Sequence, residues 1–136
     1  MNFCFVSRKE YAKRNDNNYI SELIRKYKKA FIVPEGGNNK LGVLGAEEIL
    51  ERQDKSFDYI ICPIGTGATL SGIVNSSNRS QKVIGINCIN DTKDIYKNIS
   101  QKTNKNNWEI INEFNFGGFA KFDNLLTCLL YTSDAA

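Results

Sequence analysis

A run of small residues, Gly65-Thr66-Gly67-Ala68-Thr69, separates the apolar stretch Tyr59-Ile60-Ile61-Cys62-Pro63-Ile64 from Leu70-Ser71-Gly72. A strand leading into glycines and then into a helix places chemistry at the turn. Glycine lets the backbone bend sharply and brings successive N–H groups close to a ligand. Those amides, the helix N-terminus and the Thr66 and Thr69 hydroxyls together make an anion site. A phosphate carrying about two negative charges is the natural occupant. A nucleotide P-loop would end in Lys followed by Ser or Thr, and this loop ends Leu70-Ser71-Gly72, so that reading fails. A dinucleotide GxGxxG is half satisfied by Gly65 and Gly67, with Leu70 in the third glycine position. Asp91, about twenty residues on, stands near where a ribose-binding acid would sit, so an NAD-binding reading stays open. A glycine turn that binds nothing also stays open, and Asp91 could equally cap the helix after it.

Other chemistries are narrowed by what the chain lacks. It contains no histidine, which removes Ser-His-Asp and Cys-His catalysis and any His-ligated metal from within it. Cys4, Cys62, Cys88 and Cys128 form no CxxC pair. The first three fall in apolar, strand-like stretches, where a free thiol behaves as a small hydrophobe; no metal site is expected. The net charge of +3 is spread out, and Lys26, Lys28 and Lys29 sit at a helix end, so no nucleic-acid partner is expected. The apolar runs are far shorter than the roughly 20 residues of a membrane-spanning helix. With neither a span nor a secretory leader in view, the expected location is cytoplasmic.

The elements that must position the loop follow from periodicity. Phe3, Phe5 and Val6 read as a short strand ending at Ser7-Arg8-Lys9-Glu10. Ile20, Leu23, Ile24 and Tyr27 recur at helical spacing behind N-cap candidates Asp16, Asn17 and Asn18. Ala30-Phe31-Ile32-Val33 reads as a buried strand, and Gly36-Gly37-Asn38-Asn39 as a loop. A second helix places Val43, Ala46, Ile49 and Leu50 inward. Strands follow at Tyr59–Cys62, continuous enough to be covered on both faces, at Lys82–Asn87 and at Trp108–Ile111, with a helix carrying Ile95 and Ile99 between the last two. Alternating strands and helices predict an α/β fold, a parallel sheet with helices on both faces.

Four segments, in order, resemble the pyridoxal-phosphate-dependent 1-aminocyclopropane-1-carboxylate deaminase and D-cysteine desulfhydrase family, which has the tryptophan-synthase-β-like fold (fold type II). They are MNFCFVSRKEY at Met1–Tyr11, PEGGNNKLGVLG at Pro34–Gly45, GTGAT at Gly65–Thr69 and NFGGFAK at Asn115–Lys121. The resemblance spans residues 1–125 and implies residues 1–30 at the end of a small lobe and 31–125 in a large lobe. It implies pyridoxal 5'-phosphate as cofactor, its phosphate held by Gly65, Thr66, Gly67, Ala68 and Thr69. Gly36, Gly37 and Asn38 are implied to lie near the pocket. It further implies a small amino acid as substrate and a homodimer for the full-length protein.

The departures from the family pattern concern catalysis. The family's Schiff-base lysine in an SGNK context, its Ser-Asn-His segment and its tyrosine in a YTG context are absent, and Lys40, Lys82 and Lys121 stand in other contexts. No catalytic residue is therefore assigned, and the chain reads as an internal piece of a longer enzyme, inactive alone. The ending Cys128–Ala136 resembles a translated sequencing adapter, and residues 126–136 are set apart as a non-native tail.

Overall fold

A computed structural model describes residues 3–89 and 92–114 and the single positions 121, 124 and 127. Asp91, most of Asn115–Lys121 and residues 128–136 lie outside the described residues. The chain divides into two compact units, 1–35 and 36–136.

The first unit is held by local bonds. Helix α1, Arg8–Tyr11, begins at a capping box: Ser7 Oγ accepts from the Glu10 N–H at 3.2 Å, and the Glu10 carboxylate accepts from the Ser7 N–H at 2.9 Å. That backbone bond holds the Glu10 carboxyl below its ordinary range. Helix α2, Asn17–Lys26, starts at Asp16, whose Oδ1 accepts from Asn18 and Tyr19 N–H at 2.8 and 3.1 Å. Two expectations fail in this unit. Phe3–Val6 forms no strand, and Phe5 is 92% exposed; Phe3 and Phe5 stack on one another instead. Ala30–Val33 is not a strand either, and Phe31 is 70% exposed. An apolar run becomes a strand only by pairing with a neighbour, and the sheet contains neither segment.

The second unit carries that sheet. Strands β1 (Tyr59–Ile64), β2 (Lys82–Asn87) and β3 (Trp108–Ile111) are parallel, in the order β1-β2-β3. Ile60 stands beside Val83 and Val83 beside Trp108; Cys62 stands beside Gly85 and Gly85 beside Ile110. Helix α4 (Ala68–Ser76) joins β1 to β2, and α5 (Thr92–Ser100) joins β2 to β3. The core gathers Cys62, Ile64 and Val83 from the strands, Leu70, Ile73 and Val74 from α4, and Ile95 and Ile99 from α5. The α/β class and the parallel sheet are as the sequence predicts.

Coverage of both strand faces is not. Alternation along β1 buries Cys62 and Ile64 and leaves Tyr59 and Ile61 more than 60% exposed, because α4 and α5 share the face that Cys62 lines. Only Cys62 of the described cysteines is buried, and burial pushes its thiol pKa up; Cys4 and Cys88 are exposed.

Helix α3, Lys40–Ala46, is capped by Asn39 Oδ1 accepting from Gly42 N–H at 2.7 Å. It ends earlier than periodicity predicts. Glu48 and Ile49 donate to Gly45 and Ala46, three residues back, so the last turn tightens and Ile49 swings out to half exposure. Leu50 still packs against the core. Helix α3 lies close on α4 because Gly72 has no side chain: a Cβ there would stand 2.4 Å from Ala46 Cβ and 2.6 Å from Val43 O. No helix among the described residues is long and apolar enough to cross a membrane.

Candidate functional site

Strand β1 delivers the chain to Gly65 at the carboxyl edge of the parallel sheet, where α/β folds place their ligands. Helix α4 begins three residues later. The reversal is made by Gly67, at φ +88° in the left-handed region, where a side chain would be strained. Its neighbours also require glycine, since a Cβ would lie 2.9 Å from Ile99 Cγ1. Gly67 O accepts the first helical bond, from Ser71 N–H at 3.0 Å, and the Ser71 hydroxyl at 2.8 Å. The N–H groups of Ala68, Thr69 and Leu70 thus have no partner within the helix. A glycine N-cap offers no side chain to satisfy them, and the positive end of the helix dipole adds to their field.

These amides border a cavity of about 180 Å³ lined by Gly36 and residues 63–70. Among the described residues the lining contains no carboxylate to repel an anion. Thr66 is half-buried and Thr69 exposed, while Gly67 and Ala68 are buried. Gly36 closes one wall. Its carbonyl accepts from Thr66 Oγ1 at 3.4 Å, and its own φ is +62°. A Cβ on Gly36 would stand 2.5 Å from Thr66 Oγ1, so the contact exists only with glycine there. Backbone and hydroxyl donors of this kind suit a small, multiply charged anion, and among the described residues the walls carry no titrating group.

Gly65, Thr66, Gly67, Ala68, Thr69 and Gly36 are brought together here. Gly37 and Asn38 are engaged elsewhere: Gly37 O accepts from Asn39 N–H at 2.7 Å, and Asn38 Oδ1 accepts from the Lys102 ammonium. Lys102 carries no signal in the sequence, since only the fold brings it to that loop. Leu70 does not leave a gap where a dinucleotide fold would want glycine. Its side chain is in the core, and the space comes from Gly85 on β2, where a Cβ would meet Leu70 Cδ2 at 2.8 Å.

None of the three lysines weighed in the sequence lines the loop cavity. Lys82 pairs with Glu109 at 2.7 Å, at the start of β2 and about 16 Å of strand from the carboxyl edge. Lys40 opens α3, and Lys121 is exposed. Among the described residues no group of three ligating side chains could hold a metal. A larger cavity of about 420 Å³ lies in the first unit. Its lining is mainly apolar, and its one guanidinium, Arg14, is already paired with Glu35 at 2.8 Å, so the loop cavity is the better anion site.

No protein-family model matches the chain. Two curated proteins do. The chain is 26% identical, over 85% of its length, to a Thermotoga maritima protein named "Putative 1-aminocyclopropane-1-carboxylate deaminase". It is 34% identical, over 53% of its length, to an Arabidopsis thaliana protein named "Bifunctional D-cysteine desulfhydrase/1-aminocyclopropane-1-carboxylate deaminase, mitochondrial". The chain spans 44% of the first protein and 21% of the second, less than half of either. The resemblance read from its motifs is thus to relatives that carry these names.

Proposed function

We propose that this chain holds the phosphate of pyridoxal 5'-phosphate at the Gly65–Thr69 loop, as part of an enzyme acting on a small amino acid. The reaction is of the 1-aminocyclopropane-1-carboxylate deaminase or D-cysteine desulfhydrase type. The observation that carries this reading is the uncapped start of α4 behind the left-handed Gly67, facing a cavity at the carboxyl edge of the sheet whose described lining carries no acid. A phosphate fits that donor set. The amides of Ala68 and Thr69 and the Thr69 hydroxyl would bind its oxygens, the Thr66 hydroxyl would join them on turning its one proton away from the Gly36 carbonyl, and Gly65 and Gly67 let the backbone come close. Ala68 contributes through its backbone, so its lack of a hydroxyl removes one bond of the set at most. When bound, the coenzyme supplies an electron sink for a carbanion at the substrate's α-carbon. The residues described here orient it; the groups that move protons are not assigned to this chain.

The names of the two relatives support the same reaction class. A dinucleotide reading has less behind it, because Leu70, in the third glycine position, fills the core.

The test compares pyridoxal 5'-phosphate with pyridoxal by calorimetric titration of the chain. Charge-assisted hydrogen bonds contribute about 1.5–3 kcal/mol each, and about 1.4 kcal/mol is a factor of ten. The phosphorylated form should therefore bind at least about tenfold tighter. Equal affinities, or no binding of either, would overturn the assignment. The enzymatic half is tested on the full-length gene product. It should release 2-oxobutanoate from the cyclopropane amino acid or sulfide from D-cysteine, and activity on neither would remove it.

A further inference from the structure

We infer that Lys102 is a positioning residue for the phosphate loop, acting through Asn38 and Gly36 on Thr66. The inference rests on the reading of Gly65–Thr69 as a phosphate site. Lys102 lies just beyond α5, and its ammonium donates to Asn38 Oδ1 across 64 residues of sequence. Its backbone is fixed as well. The Lys102 carbonyl accepts from Asn75 Nδ2 at 3.2 Å, and the same amide donates to Glu47 Oε1 at 2.9 Å, tying the turn to α4. Lys102 is half-buried, and desolvation lowers its ammonium pKa, so the Asn38 carbonyl replaces water that the ammonium has lost.

The loop needs an outside restraint. Gly36 and Gly37 both sit at φ +62°, and consecutive glycines are the least self-ordering backbone available. Beyond them Asn39 is fixed, its side chain capping α3. Before them Glu35 pairs with Arg14 at 2.8 Å, and at the cavity wall itself Gly36 is met by Thr66 through a 3.4 Å bond at the outer limit of hydrogen bonding. Asn38 is the one position between those points whose side chain is gripped by a distant element. The grip of Lys102 on Asn38 therefore adds the long-range restraint that helps fix where Gly36 stands, and Gly36 O, by accepting the Thr66 hydroxyl proton, orients that side chain at the cavity wall. The closeness of that wall, 2.5 Å from a Gly36 Cβ to Thr66 Oγ1, means that a small displacement is felt.

The experiment uses the 136-residue chain with Lys102→Met, Lys102→Arg, Asn38→Ala and the Met/Ala double substitution. Amide NMR spectra are taken without ligand, and inorganic phosphate and pyridoxal 5'-phosphate are then titrated. Lys102→Met and Asn38→Ala should each move the Gly36, Thr66 and Gly67 amide resonances and weaken phosphate binding about five- to tenfold. The double substitution should be no worse than either alone, and Lys102→Arg should recover affinity to within about twofold. Should Lys102→Met not fold, Asn38→Ala and Lys102→Arg carry the test. Unmoved Gly36 and Thr66 amides, or Lys102→Arg as weak as Asn38→Ala, overturn the positioning role. A parent chain that binds no phosphate, while its Thr66 amide still moves in Asn38→Ala, overturns the phosphate reading alone and supports the positioning.

Discussion

Replacing Gly67 by alanine should unfold the loop's support more than any other single-methyl change in it. The residue sits at φ +88°, where an L side chain costs about 1–2 kcal/mol. The added methyl would also lie 2.9 Å from Ile99 Cγ1 and 3.3 Å from Ile99 Cδ1. Ile99 is fully buried in the core, so relief means overpacking, at about 1–3 kcal/mol. The sum, roughly 2–5 kcal/mol, is a large part of the ~5–15 kcal/mol that holds a domain folded. With a urea dependence of about 2 kcal/mol per molar, the unfolding midpoint should fall by about 1–2.5 M. Gly65→Ala, two residues away, is the internal comparison. Its Cβ meets nothing within 4 Å and its φ is not positive, so stability should change by less than about 0.5 kcal/mol. Circular dichroism in urea reads both. A Gly67→Ala loss below about 0.5 kcal/mol, or equal losses for the two variants, would refute the geometric reasoning.

Gly36→Ala should weaken inorganic-phosphate binding about tenfold, because its new Cβ would stand 2.5 Å from Thr66 Oγ1 and push that side chain away, which titration calorimetry would detect. Gly72→Ala should cost about 2–3 kcal/mol in urea unfolding, as α3 is forced off α4 at Ala46. In native protein at pH 8, iodoacetamide should label Cys4 and Cys88 and spare Cys62, which burial both covers and holds as a thiol; mass mapping of the alkylated sites checks this. The Glu109 partner raises the Lys82 pKa, so the pair's contribution is present at neutral pH and lost as pH rises through that raised value. Lys82→Met should flatten the pH dependence of stability there, read from thermal melts. Ile61→Lys should reduce self-association measured by light scattering, because Ile61 is exposed on β1, an edge strand of the described sheet.

The sheet and its loop were legible because the sequence states them locally. Continuous apolar runs at Tyr59–Ile64 and Val83–Ile86 need only a neighbouring strand, and they find each other in register. Asp16 announces the start of α2 by its side chain alone. The failures concern features that depend on a partner. Phe31 and Val33 are as apolar as a core strand, yet nothing in their unit pairs with them. The expected two-faced burial of β1 failed for the same reason: periodicity shows which side chains alternate, not how many layers cover them. Ser7-x-x-Glu10 has capping-box spacing, but it lies in a polar stretch with no apolar periodicity behind it to mark a helix. At the site, the glycine turn was visible as composition. The Gly36–Thr66 contact and the Lys102–Asn38 bond link positions 30 and 64 apart in sequence, and only the fold sets such distances.

The central claim, that the start of α4 grips a phosphate, is tested most directly by amide shifts. Isotope-labelled chain titrated with pyridoxal 5'-phosphate should show its largest movements at Thr66, Gly67, Ala68, Thr69 and Leu70. Inorganic phosphate should reproduce them in direction. Saturating changes that fall elsewhere and leave Ala68 and Thr69 in place would contradict the account.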